Sequence, residues 1–292
     1  MSPWLSAARP RTLPLALSSI FLGSFLSWKA GKADWLIFSL CCLTTILLQV
    51  LSNFANDYGD TQNGADSADR KGPDRAVQAG LITPGQMFNA ILLFGALALI
   101  SGISLLYFSF RNASSQEFFG FLGLGLLCIV AAYTYTAGKK PYGYAGLGDV
   151  SVLIFFGLVG VLGSNYLFTK TFNPVNILPA LSCGLFATGV LNVNNIRDIE
   201  SDTKAGKKTV PSRIGKKKAI AYHWLLLIGG MFSAVAYNVV SGDHAYWYVL
   251  TFPLFVFNGV KVTRLENPDP MLKQLALSTL LFAVLFGLSG IL

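Results

Sequence analysis

Long apolar runs alternate with short polar intervals along the whole chain. From Trp35 to Ala55 nearly every residue is Leu, Ile, Phe, Cys or Thr. Comparable runs recur, each close to the roughly 20 residues that an α-helix needs to cross a bilayer. They predict nine spans, at approximately 12–28, 35–56, 86–110, 117–136, 148–168, 175–196, 218–240, 244–263 and 271–292. Apolarity all round each run, not along one stripe, is the mark of helices buried in lipid or against one another. The expected fold is therefore all-α, a polytopic membrane bundle of nine transmembrane helices forming a single domain over residues 1–292.

Composition agrees. Only 12% of the 292 residues are charged, 53% are hydrophobic, and the mean hydropathy is +0.55. That charged fraction is about half of what a soluble chain carries. The opening MSPWLSAARPRTLPLA leads into a full-length span, so no cleaved signal peptide is expected. Cys41, Cys42, Cys128 and Cys183 all fall inside apolar segments without metal-ligand spacing, and read as packing residues.

Charge gives the orientation. With the N-terminus on one side, that side collects 18 of the 22 Lys and Arg residues, which makes it cytoplasmic and puts the C-terminus outside. The net charge of +8 thus belongs to topology, and no nucleic-acid partner is expected. RIGKKKA, residues 213–219, reads as one such basic anchor; the isolated His223 and His244 receive no role. Carboxylates crowd the same side, 11 of 14 of them. The positive-inside rule offers no reason for that, because acids contribute little to topology.

Two clusters account for most of them. In NDYGDTQNGADSADRKGPDR, residues 56–75, five aspartates follow the second span. In NVNNIRDIESDTKAGKKT, residues 192–209, Asn194, Asp198 and Asp202 stand four apart and line one face if the helix of the sixth span continues. Asn56 and Asp60 repeat that spacing, with Asn53 and Asp57 just before them. Spans two and six are four helices apart, so both clusters reach the same membrane face. This predicts two four-helix units plus a final helix, with one acid-bearing helix end from each unit.

Facing carboxylates repel unless cations lie between them. Asp and Asn oxygens suit magnesium, which takes one or two carboxylates and fills its remaining sites with water and substrate phosphate. Basic residues flank both clusters: Arg70 and Arg75 beside the first, Lys204, Lys207 and Lys208 beside the second. Acids for the metal and bases for phosphate oxygens point to a magnesium–diphosphate site. At the edge of a bilayer, its substrate would carry a diphosphate head and a lipid tail. An ion-coupled transporter is the rival from another class, since paired membrane acids also carry protons and cations. Against it, these acids stand at helix ends on one face and not at the midplane.

NDYGD, NNIRDIESDTKAGKKT and YTAGKKPYGYAGLGDVSVLIFFG (Tyr135 to Gly157) resemble the UbiA-type intramembrane prenyltransferases, and the resemblance covers essentially the whole chain. AARPRTLPLA and RKGPDRAVQAG look most like the menaquinone-pathway branch, which acts on 1,4-dihydroxy-2-naphthoate; 4-hydroxybenzoate is the alternative acceptor. The resemblance implies nine helices around a cavity open to the membrane, in a bacterial cytoplasmic membrane, with the polar site near the cytoplasmic face. It also implies two magnesium ions bridging the diphosphate of a polyprenyl diphosphate. The family pattern Asn-x3-Asp-x3-Asp is complete at Asn194, Asp198 and Asp202. The first copy starts at Asn56 and Asp60 and is broken by Gly64, leaving Asp57 and Asp66 as the other ligands available. A family Tyr-x3-Lys pattern falls on Tyr135 and Lys139, where Lys139 would touch the diphosphate or serve with Lys140 as a topogenic pair. Asp149 either orients and deprotonates the acceptor hydroxyl or caps a helix; Arg9 either meets the acceptor carboxylate or anchors the chain at the interface.

Overall fold

The computed structural model describes residues 2–64 and 75–289. Asp66 and Arg70, two of the expected ligands, lie outside the described residues. The chain runs as α1 (Pro3–Ala8), α2 (Leu13–Lys29), α3 (Trp35–Gln62), α4 (Pro84–Phe110) and α5 (Ser115–Thr134). Next comes one rod built from α6 (Gly148–Val152), a π-helix over Leu153–Gly163 and α7 (Ser164–Thr169). It continues as α8 (Ile177–Arg197), α9 (Ile199–Lys204), α10 (Val210–Ser241), α11 (Phe252–Arg264) and α12 (Asp269–Leu288). Among the described residues there is no strand.

Among the described residues, seven helical segments are long and apolar enough to cross a membrane: 35–62, 84–110, 115–134, 148–169, 174–197, 210–241 and 269–288. The predicted first and eighth spans are helical but shorter. They are α2, of 17 residues, and α11, of 13 residues entered from a 3-10 turn over Trp247–Thr251.

Local chemistry starts these helices where the pattern predicts. Asp34 caps α3 by accepting from the amides of Leu36 and Ile37, and Thr83–Gln86 and Ser114–Glu117 form capping boxes on α4 and α5. The far end of α3 departs from the apolar pattern, because the helix continues six residues past the predicted boundary, to Gln62. Asn56, Asp57 and Asp60 therefore ride on its last turns. The second motif does the reverse: α8 stops at Arg197, Asp198 occupies a joint (φ −100°, ψ 15°), and a new helix begins at Ile199. Asn194, Asp198 and Asp202 do not share one continuous helical face.

α3 packs against α2, α4 and α5; α8 packs against the π-helix, α10 and α12. Phe186, Phe255 and Phe282 form an aromatic centre for the second group, the first two stacked at 3.9 Å. His223, fully buried, bonds Asn258 at 2.9 Å, so it is a core tie between α10 and α11. α2, α3, α4, α5, the π-helix, α8 and α12 surround a cavity of about 450 Å³. Its lining reaches along α3 from Asp60 to Cys41, a distance of about 28 Å at the α-helical rise.

Candidate active site

The four polar residues at the end of α3 point in different directions. Asn53 donates to the carbonyl of Ala8 (2.8 Å) and the hydroxyl of Thr12 (3.0 Å), tying the N-terminal segment to α3. Asn56 lines the cavity and accepts from Thr136 Oγ1 at 2.9 Å. Asp57 turns the other way and accepts from the amides of Ala76 (3.1 Å) and Val77 (3.2 Å), fixing the chain that leads into α4. Asp60, buried, faces the cavity. One of its oxygens bonds Arg75 Nη2 at 2.5 Å; the other accepts from Tyr144 Oη at 2.8 Å and has Lys207 Nζ at 3.5 Å.

Lys207 joins the two motifs. Its ammonium also lies 3.9 Å from Asp202 Oδ1 and 5.0 Å from the centre of the Tyr144 ring. One cationic group thus sits between a carboxylate from α3 and a carboxylate from α9. The loop carrying Tyr144 is seated by Gly146, whose φ of 88° belongs to the left-handed region and whose Cβ position is 2.7 Å from the carbonyl of Lys208. No other residue fits there, and the close approach lets the amide of Lys208 donate to the carbonyl of Tyr144 at 3.0 Å.

Asp198 has a different partner. Arg197, its side chain wholly buried, grips both Asp198 oxygens (2.8 and 2.5 Å), donates to Asn194 Oδ1 (3.0 Å) and reaches Asp269 at the start of α12. Arg11 completes this network at 3.3 Å from Asp269. Asn194 lines the cavity. The second acid motif is therefore divided, with Asp202 turned toward Asp60 and Asp198 held in an ion-pair network that joins α8, α12 and the N-terminal segment.

Of the remaining expected residues, Arg9, Arg75 and Tyr135 line the cavity, Arg9 with a left-handed backbone (φ 48°). Lys139 lies instead in a separate pocket with Lys140, Tyr144 and Lys208. Lys204 is exposed in the last turn of α9. Asp149 is buried in the first turn of α6, where it accepts from Tyr222 Oη at 3.1 Å, and it is absent from the described cavity lining. Sequence reasoning missed Tyr144, Arg11 and Asp269. Only Tyr144 carried a signal, a tyrosine inside the glycine-rich segment Pro141–Asp149 that sits between two helices.

Among the described residues no three His, Cys, Asp or Glu side chains converge as a ready-made metal cluster. The donor set still fits a magnesium ion. Asp60 and Asp202 supply hard oxygens, Asn56 and Asn194 line the same cavity, and the Lys207 ammonium shows that a cation fits between the two carboxylates.

Comparison with known proteins finds relatives that span nearly the whole chain. Over 292 residues the chain is 47% identical to 1,4-dihydroxy-2-naphthoate octaprenyltransferase of Haemophilus influenzae, covering 98% of this chain and 94% of that one. It is 45% identical over 291 residues to the Escherichia coli protein of the same name, with the same coverage. A UbiA homolog from Archaeoglobus fulgidus, solved bound to GPP and Mg2+, superposes with a TM-score of 0.65 at 17% identity, over 99% of both chains. The model of the UbiA prenyltransferase family matches residues 16–286, and the chain belongs to that family.

Proposed function

We propose that the protein transfers the polyprenyl group of an allylic polyprenyl diphosphate to the ring of 1,4-dihydroxy-2-naphthoate, releasing diphosphate and CO2. The product is demethylmenaquinol, on the route to menaquinone. The observation that carries this reading is the near-full-length identity of 45–47% to proteins named for that reaction. The site beneath it has the right parts: two carboxylates around a cationic position at one end of a long apolar cavity.

Asp60 and Asp202, assisted by Asn56 and Asn194, would hold magnesium, two ions by the resemblance. When bound, the metal supplies charge stabilisation to the departing diphosphate. Arg75 and Lys207 place positive charge where the diphosphate oxygens gain negative charge, inside a largely apolar cavity. The allylic C–O bond breaks with its electron pair going to the diphosphate. A ring pair of the naphthoate forms the new C–C bond at the carbon bearing the carboxylate, and departure of CO2 returns a pair to the ring. Asp198 contributes by fixing Arg197, and Tyr135 and Arg9 border the space that the acceptor would occupy. Nine spans with a cytoplasmic N-terminus, in a bacterial inner membrane, complete the proposal; the one-sided distribution of Lys and Arg supports that orientation.

The test is prenyl transfer by purified protein with magnesium, a long allylic diphosphate and either dihydroxynaphthoate or 4-hydroxybenzoate, with and without EDTA. Magnesium-dependent product from the naphthoate alone is expected. Product from 4-hydroxybenzoate instead would keep the chemistry and overturn the acceptor. Asp60→Ala and Asp198→Ala should each abolish turnover in protein that still folds and inserts, and wild-type rates in Asp60→Ala would sink the metal assignment.

A further inference from the structure

The carboxylate of a 2-naphthoate is attached to the ring carbon that the prenyl group attacks. The groups that hold it must therefore stand at the polar end of the cavity, beside the diphosphate site and not in it. That site already has its own charges, in Asp60, Asp202, Arg75 and Lys207.

Another wall of the cavity is built by α2, α8 and α12, which pack on one another. Leu15, Ala187 and Ala276, one from each helix, form a buried apolar cluster with Phe156 against it, and all four line the cavity. Arg11 stands four residues before Leu15, Asn195 eight after Ala187, and Lys273 three before Ala276. Each is one or two helical turns from its apolar neighbour, on the same side of the helix. All three line the cavity as well. Asp269 bonds both Arg11 and Arg197, which ties the start of α12 to the approach to α2 and to the end of α8. The three polar side chains thus gather at one end of the apolar wall.

Their chemistry selects a ligand. Asn195 is buried (4% exposed), yet among the described residues its amide has no hydrogen-bond partner. Arg11 is one-third exposed, and Lys273, exposed, forms no ion pair among the described residues. In this group Arg11, Arg197 and Lys273 bring three positive charges, and Asp198 and Asp269 two negative ones, which leaves one positive charge over. Both acids are engaged by arginines, so neither is left to hold a metal for a diphosphate. An amide, a guanidinium and an ammonium beside an apolar wall suit a planar aromatic monoanion.

We propose that Arg11, Asn195 and Lys273 form the subsite for the acceptor's carboxylate, with the aromatic ring lying against Leu15, Ala187 and Ala276. They are specificity-determining residues: they select an acceptor that carries a carboxylate over the same ring without one. This inference rests on the prenyl-transfer reading and refines it.

The experiment measures inhibition of prenyl transfer by 1-hydroxy-2-naphthoate and by 1-naphthol, the same ring without the carboxylate, in the full-length protein. Wild type should prefer the naphthoate. Lys273→Gln and Arg11→Gln should each cut that preference by about tenfold or more, because a site built around a charged group discriminates strongly against its loss. Asn195→Asp, which sets carboxylate against carboxylate, should cut it further. KM for the polyprenyl diphosphate should keep its wild-type value in all three, a split that a general loss of packing would not produce. Lys273→Gln breaks no ion pair, so it keeps the test valid if Arg11→Gln fails to fold. Lys217→Gln, exposed on α10 and absent from the cavity lining, is the control and should keep the wild-type preference. Equal weakening of both inhibitors, an unchanged preference in the folded variants, or a wild type that does not distinguish the two compounds, overturns the subsite. A wild-type protein that forms no prenylated naphthol removes the prenyl-transfer reading itself.

Discussion

Tyr144→Phe isolates one bond in the site. The hydroxyl donates to Asp60 Oδ1 at 2.8 Å, and the ring lies 5.0 Å from the Lys207 ammonium. Phenylalanine keeps the ring and removes only the donor. Asp60 retains Arg75 at 2.5 Å and Lys207 at 3.5 Å, so no buried charge is stranded. A hydrogen bond to a charged group contributes about 1.5–3 kcal/mol. If the bond holds Asp60 in its working orientation throughout the reaction, its loss should lower kcat/KM by about 10- to 150-fold. Tyr144 acts through Asp60, so it is a positioning residue. The magnesium concentration giving half-maximal rate should rise with the fall in rate, an effect that a general loss of folded protein would not produce. Thermal unfolding in detergent should move little. A rate within threefold of wild type, or a slower enzyme with an unchanged magnesium requirement, would refute the argument.

The Arg197 network predicts an order of stabilities. Arg197→Met leaves the buried Asp198 carboxylate without its bidentate partner and should cost about 3–5 kcal/mol. Asp269→Asn should cost only about 1 kcal/mol, because Asp269 is partly exposed (24%) and Arg197 keeps Asp198; unfolding midpoints in the opposite order would contradict the network. At Gly59 a Cβ would stand 2.5 Å from the backbone of Thr136, so Gly59→Leu must push the end of α3 off residues 136–137. Overpacking of this kind costs about 1–3 kcal/mol, and here it should also remove most prenyl transfer by displacing Asn56 and Asp60. Full activity in the folded variant would show that the approach of these segments does not set the site.

Much of the architecture was legible because membrane burial writes itself into sequence as run length. Each predicted span contains a helix among the described residues, and caps such as Asp34 and Thr83 stand where the polar intervals meet the apolar runs. The predicted boundary at Asn56 falls short of the helix end for a physical reason. Hydropathy falls where the polar site begins, but the helix keeps its hydrogen bonds through Gln62 because residues 136–137 and the chain at 75–77 cover its polar end. The joint at Asp198 escaped notice for the opposite reason, since Asn-x3-Asp-x3-Asp fits an unbroken helix as well as a broken one.

The sequence by itself determined the class of chemistry: acids and bases gathered at two helix ends four spans apart, which calls for a cation and an anionic substrate at a membrane face. Only the tertiary structure decided which oxygens meet. Spacing of four places residues on a common face but says nothing about how that face is rotated toward its neighbours. Thus Asp60 turned to the cavity and Asp57 to a backbone turn, and Asp202 met Lys207 while Asp198 closed on Arg197. Tyr144 reached Asp60 across 84 residues of chain, Asp269 reached Arg197 across 72, and Arg11 reached Asp269 across 258. No local pattern encodes such distances; packing of helices around a common cavity does.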